Sequence, residues 1–159
     1  MARIVSSLVV LVLGAGALAL ADDPGERAHI VRAAEDLEWK DGPQALPPGA
    51  KIAILAGDMK SRELFAVRLK FPKGYKIKPH WHPVDENVTI ISGRAHMATG
   101  DKFDTAGGHE LRAGAFTVMP AKLHHYFWTT EDTIIQLHGI GPWGITYVNP
   151  EDDPRPRKE

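Results

Sequence analysis

The sequence predicts an all-β protein, an antiparallel double-sheet jelly-roll barrel. Three observations carry that prediction: short apolar and β-branched runs recur at about ten-residue spacing, turn residues punctuate them, and no long helical period appears. Fifteen glycines and twelve prolines among 159 residues supply the turns such an architecture needs.

The elements follow in chain order. Residues 1–21 read as a secretory signal: Arg3 gives the positive start, an apolar stretch runs to Leu20, and Ala19-Leu20-Ala21 forms a small-x-small cleavage site before Asp22. An uncleaved anchor helix is the competing reading, weakened by Ser6, Ser7 and two glycines in the stretch. Cleavage after Ala21 predicts a secreted or periplasmic protein with no membrane segment once the signal is gone. Residues 22–36 form a polar lead-in that supports at most a short helix. The domain proper spans 37–150. Its candidate strands are 51–55, 64–71, 75–82, 87–92, 94–99, 110–112, 115–119, 125–129, 133–138 and 145–148. Gly57-Asp58, Pro72-Lys73-Gly74, Gly93, Gly100-Asp101, Gly107-Gly108, Gly114, Pro120 and Gly139-Ile140-Gly141-Pro142 break them. Met97, Phe116, Val118, Met119, Phe127 and Ile134 are expected in the core. Residues 151–159, charged and proline-rich, are expected to form a loose tail.

Composition closes off several functions. Nineteen Lys and Arg against twenty Asp and Glu give a net charge of −1, with no basic stripe able to displace counterions from phosphates. No nucleic-acid partner is expected. The absence of cysteine removes disulfides, thiol nucleophiles and thiolate metal sites, so a metal here must be held by nitrogen and oxygen.

The histidines are where the chemistry concentrates. In the run from Gly74 to Glu86, followed by Gly93, the alternation of side chains along a strand turns His80 and His82 the same way, and Glu86 keeps that parity. Two imidazoles and a carboxylate then converge on one side of a sheet, which suits a divalent first-row metal with positions left open for water or substrate. A second run, Gly114 to His125, ends a strand at Pro120, turns, and opens the next strand with His124 and His125. Only one of that pair can face a given side.

These runs resemble the two motifs of the cupin superfamily. The first, Gly-x5-His-x-His-x3-Glu-x6-Gly, is met by Gly74, His80, His82, Glu86 and Gly93. The second, Gly-x5-Pro-x-Gly-x2-His-x3-Asn, is met by Gly114, Pro120 and His125, which makes His125 rather than His124 the fourth ligand. Lys122 stands where the family has glycine and Thr129 where it has Asn. Neither position is a ligand, but a turn at Lys122 must either avoid positive φ or carry strain of about 1 kcal/mol. Residues 37–150 look like small single-domain cupins exported by bacteria, a group the segment Gly139 to Ile145 also resembles, and residues 68–83 are faintly similar to germins, which are secreted manganese cupins.

The resemblance implies one divalent transition metal held by His80, His82, Glu86 and His125, with iron or manganese favoured and zinc or nickel compatible. It also implies a small-molecule partner and pairing into homodimers through outer strands. Because imidazoles bind metal only when neutral, affinity is expected to fall as pH drops through about 6.5. The function expected by analogy within the superfamily is an oxygen-dependent oxidoreductase, dioxygenase-like, acting on a small polar organic molecule. Two other classes stand beside it: a non-catalytic metal-containing module that binds or senses a small ligand or sugar, and a metal-assisted isomerase or hydrolase. Tyr126, His138 and His96 are the candidates for a general base. His96 and His138, with Gln136, can face the cavity as partners of the ligands or contacts to substrate. Arg68 facing inward would attract an anion, whereas Lys70 is expected to face solvent. His29 and His109 are expected in solvent, and Asp101, Asp104 and Glu110 lack the ligand spacing of a calcium loop.

Overall fold

Two antiparallel sheets face each other in the computed structural model, which describes residues 29–157. The signal-peptide reading therefore lies outside the described residues. One sheet has six strands in the order β1 (Lys40–Asp41), β2 (Lys51–Ala56), β3 (Leu64–Phe71), β10 (Thr133–Ile140), β5 (Glu86–Ser92) and β8 (Phe116–Met119). The other has five: β11 (Thr146–Tyr147), β4 (Lys76–Trp81), β9 (His125–Thr129), β6 (Arg94–Thr99) and β7 (His109–Arg112). From β3 onward the chain crosses between sheets at nearly every connection, so sequence neighbours face each other across the core. This is the jelly roll that the spacing of turns predicts.

Period-two patterning decides which side chains enter the core. On β3, Phe65, Val67, Leu69 and Phe71 are buried, and they meet Ile77, Ala95, Met97 and Phe127 from the opposite sheet. Arg68 and Lys70 turn outward on the same strand, Arg68 toward Gln136 (3.5 Å) and Lys70 over the Trp39 ring (4.6 Å from its centroid).

Met97, Met119 and Phe127 are buried as expected, but Phe116 and Val118 are corrections: they are 57% and 41% exposed. β8 is an edge strand whose register, Glu86 opposite Met119, sends Met119 inward and the alternate positions out. Ile134 is likewise only half-buried, because Thr133, Ile135 and Leu137 take the inward positions of β10.

Thr129 answers the departure from the motif. Buried at the end of β9, its hydroxyl accepts from the Tyr75 amide (3.0 Å) and donates to the Pro72 carbonyl (2.7 Å), fixing the turn that leads into β4. Gly93 is needed where it stands. It sits at φ 80°, and a Cβ there would lie 2.1 Å from the Asp132 carbonyl oxygen, so the β5–β6 turn seats against the β9–β10 turn only without a side chain.

The described part of the lead-in contains a turn closed by Asp36 on Ala33 (3.2 Å) and no helix. At the other end, a 3-10 turn over Pro150–Asp152 is capped by Asn149, and Arg155 donates to the Ile145 carbonyl (3.3 Å), tying the first part of the expected loose tail to the barrel. Among the described residues, no helix is long and apolar enough to cross a membrane.

Candidate metal centre

Three imidazoles meet inside the barrel near one end. His80 lies on β4 directly across from His125, the first residue of β9, and His82 follows one residue after β4 ends. Ring centroids are 4.3 Å apart for His80 and His125, 5.0 Å for His80 and His82, and 5.1 Å for His82 and His125. One nitrogen from each of the three falls within 4.8 Å of the others, and all three residues are buried.

Glu86 reaches the site by a different route from the one parity suggests. The chain crosses from one sheet to the other between His82 and Glu86, so the carboxylate arrives on β5 from the opposite wall. Its Oε1 lies 3.3 Å from His82 Nε2 and its Oε2 3.8 Å from His125 Nε2. The convergence is across the core, not along one sheet.

Backbone carbonyls set the tautomer of every ring. Nδ1 of His80 faces the Lys78 carbonyl (2.7 Å), that of His82 the Gly144 carbonyl (2.7 Å), and that of His125 the Leu123 carbonyl (2.9 Å). A carbonyl only accepts, so each Nδ1 carries the proton and each Nε2 presents a lone pair. The Nε2 atoms of His82 and His125 are buried without a hydrogen-bond partner. Orphaned acceptors of this kind are costly unless something electrophilic satisfies them, and a divalent cation does so while suiting an imidazole-rich donor set.

Electrostatics reinforce that state. Burial pushes the His80 imidazole down to about 3, with His125 and His82 adding to the effect. Burial also lowers His82, partly offset by Glu86 and by the bond to Gly144. For Glu86 burial works toward the neutral acid, yet the facing His82 and His125 hold the carboxyl down to about 2. At neutral pH His80 and His82 therefore offer neutral nitrogen donors beside the Glu86 carboxylate. For His80 and His82, burial shifts protonation further into acid than the ordinary histidine value on which the expected fall through about 6.5 rests.

The segment after β10 builds the other wall. Trp143 donates its indole N–H to Glu86 Oε1 (3.1 Å) and stacks on His82 (centroids 4.9 Å apart, planes at 25°), while its backbone N–H donates to the Met59 carbonyl (2.7 Å). Gly141 permits the approach, since a Cβ there would lie 2.2 Å from the Ser61 carbonyl oxygen. Reading the sequence alone missed Trp143 and Gly144. Residues distant in sequence bring them to the site, and only the likeness of the Gly139 to Ile145 segment pointed there.

The remaining candidates lie elsewhere. Tyr126 and His96 point to the outer face of the five-stranded sheet, alternating with the inward His125, Phe127 and Met97. Tyr126 packs on Phe103 (5.2 Å), and His96 stacks on Trp128 (5.0 Å) with Nε2 3.6 Å from Glu110. His138 and Gln136 face outward from the six-stranded sheet, alternating with Leu137, which lines the cavity. None of the three proposed bases reaches the imidazoles, because each sits one residue from an inward position. His124 faces away and binds Asp101 (2.6 Å), and His29 and His109 are exposed.

The cavity beside the imidazoles is small, about 30 Å³, and its remaining walls are apolar: Leu69, Phe71, Ile77, Val88 and Met97 among them. Among the described residues, no lysine or arginine lines it.

Comparison with known proteins agrees with this architecture. The model of the Cupin domain family matches residues 67–140. No curated protein matches the chain. Among solved structures, an RmlC-like cupin from Shewanella frigidimarina is similar at 22% identity and TM-score 0.55, over 70% of this chain and 89% of that one. The polyketide cyclase RemF from Streptomyces resistomycificus is similar at 14% identity and TM-score 0.63, over 81% and 89% of the two chains. An acetylacetone dioxygenase from Acinetobacter johnsonii is similar at 13% identity and TM-score 0.60, over 78% and 81%. At such identities these likenesses speak for the fold alone. Residues 67–140 thus match the Cupin domain family, and the fold around them is the cupin jelly roll.

Proposed function

We propose that this cupin is a mononuclear metal-dependent oxidoreductase that uses O₂, with His80, His82, His125 and Glu86 holding iron or manganese. The observation that carries the reading is a set of three buried imidazoles, each locked as an Nε2 donor by a backbone carbonyl, in a cavity otherwise walled by hydrocarbon. When bound, such an ion supplies Lewis acidity to oxygen ligands and one-electron chemistry toward O₂.

The protein's own residues do the rest. The carbonyls of Lys78, Leu123 and Gly144 hold the rings in the binding tautomer. Glu86 offsets one unit of the ion's charge, and its Oε2 is the freer oxygen because Trp143 engages Oε1. The apolar walls keep bulk water from the centre, which strengthens every electrostatic interaction within it.

The same walls revise the expected substrate. With no cation in the cavity and Arg68 turned outward, an anionic or sugar-like molecule finds no partner beyond the metal. A better match is a molecule with two chelating oxygens at one end and an apolar body, a class that includes the β-diketone named for the Acinetobacter structure.

Anaerobic titration of the Fe(II) or Mn(II) protein with β-diketones, catechols and small organic acids, followed by air, tests the reading. O₂ uptake tied to a tightly bound compound is expected. Tight binding with no uptake for every compound would assign the protein to a binding module, and product without uptake to a metal-assisted isomerase or hydrolase. Metal content supplies the earlier check: His82→Ala and Glu86→Ala should lose most of it, while His29→Ala keeps it. We also propose export, supported by the character of residues 1–21, with Asp22 expected as the mature N-terminus; an intact Met1 on exported protein would refute that cleavage.

A further inference from the structure

The metal cavity raises a difficulty of size. At about 30 Å³ it has the volume of roughly one water molecule, whereas pockets for organic ligands are roughly 300–1,000 Å³. An organic substrate cannot lie wholly beside the imidazoles.

A cleft of about 600 Å³ opens between β7 and β8, the edge strands where the two sheets separate. Met97, Thr99, Phe116, Thr117, Met119 and Tyr126 are among the residues that line it. Two of these are cross-strand neighbours of the metal site's own residues, Thr99 of His125 and Met119 of Glu86, and a third, Met97, pairs with Phe127 in the cavity wall. Met97 is also the one residue common to the walls of the cleft and of the metal cavity. The two spaces are thus adjacent, with a methionine as the partition.

We propose that this cleft is the binding site for the body of the organic substrate, and that Met97 is the movable wall its chelating end passes to reach the imidazoles. The proposal rests on the metal reading above and adds to it where the substrate lies. Methionine suits a partition, because its unbranched side chain changes rotamer readily and packs well against apolar or aromatic groups. The lining also narrows the ligand class. Among the described residues no lysine or arginine lines the cleft, its carboxylate Glu110 is engaged by Arg112 (2.6 Å), its other titratable groups are His109 and Tyr126, and Phe116 offers an exposed aromatic face. The ligand is therefore an uncharged molecule with a flat or apolar body and two neighbouring oxygens at one end.

Maltol, a small uncharged ring with two chelating oxygens, is a suitable probe. Its association with the Co(II)-loaded protein is followed by stopped-flow absorption of the cobalt bands, in wild type, Thr117→Trp and Met97→Ala. Thr117→Trp fills the cleft, and maltol association is expected to slow at least tenfold while Co(II) affinity stays at the wild-type value. Met97→Ala removes the partition and is expected to speed association severalfold. Equal rates in wild type and Thr117→Trp, or no maltol signal in a wild-type protein that has taken up Co(II), would overturn the cleft assignment. Failure of the wild type to take up Co(II) would instead overturn the metal reading beneath it.

Discussion

Replacing Lys122 with glycine should make the protein more stable, and the size of the gain follows from the turn. Lys122 has φ 64°, the one positive value outside glycine among the described residues. It is the third residue of a turn closed by the Leu123 amide on the Pro120 carbonyl (3.1 Å), and its own N–H donates to the His82 carbonyl (2.8 Å). The left-handed conformation costs a residue with a Cβ about 1–2 kcal/mol. Glycine escapes that cost but gives back roughly 0.5–1 kcal/mol through its greater freedom when unfolded. The balance is a gain of about 0.5–1 kcal/mol, or a rise in Tm of about 1–4 °C for a chain of this size. Urea and thermal unfolding of Lys122→Gly, Lys122→Asn and Lys122→Ala would measure it. Glycine should gain the most, asparagine part of it, and alanine nothing, since alanine keeps the strained Cβ and the side chain it removes is exposed. If glycine gains no more than alanine, the turn is not strained and the reasoning fails.

Other outcomes follow from the same geometry. Thr129→Val should cost about 1–3 kcal/mol in urea unfolding, because it removes two buried hydrogen bonds and leaves the Tyr75 amide and the Pro72 carbonyl only their 3.2 Å bond to each other. Trp143→Phe, which keeps a ring on His82 but loses the N–H to Glu86, should weaken Co(II) binding by about tenfold in a calorimetric titration. In the same titration His138→Ala should match wild type, since His138 lies on the outer face. The metal-free protein should lose stability as pH falls below about 6.5. Between the ordinary histidine value of 6.5 and the folded value of about 3, the unfolded chain binds a proton that His80 refuses. Glu86, held near 2, adds a further loss as pH falls below its ordinary 4.5. A urea midpoint that stays flat from pH 7 to 4 would contradict this assignment.

The strands were legible because each is an alternating run bounded by glycine or proline, and β3 shows how far that goes: its inward and outward residues all fall where period two puts them. The same rule misled at β8. Phe116 and Val118 are apolar and lie on a strand, but the inward parity holds Thr117 and Met119, and composition alone does not say which parity faces in; the pairing of Met119 with Glu86 decides it. The imidazoles were legible because the motif spacing is local. How Glu86 joins them was not, since the crossing between sheets at residues 83–85 is a tertiary event that strand parity cannot express. Trp143 was hidden for a related reason: it lies 57 residues from the carboxylate it binds. His96, His138 and Tyr126 were drawn in by their chemistry, and each missed the cavity by a single position of the pleat.

That single-residue sensitivity bears on why the site is built from strands at all. Burying three imidazoles and a carboxylate among Leu69, Phe71, Ile77 and Val88 sacrifices stability, because groups that would be solvated in the unfolded chain are stripped of water. The same burial holds His80 and His82 neutral, the only form in which they offer a lone pair to a metal. A more hydrated site would fold more easily but would let protons compete with the metal at higher pH. Rigid strands resolve the conflict: the paired backbones of β4 and β9 set His80 opposite His125, and carbonyls of Lys78, Leu123 and Gly144 orient the rings without adding charge. The destabilisation is therefore confined to one end of the barrel, where a bound cation can return it, while the hydrocarbon core around Phe65, Val67 and Leu137 holds the sheets together.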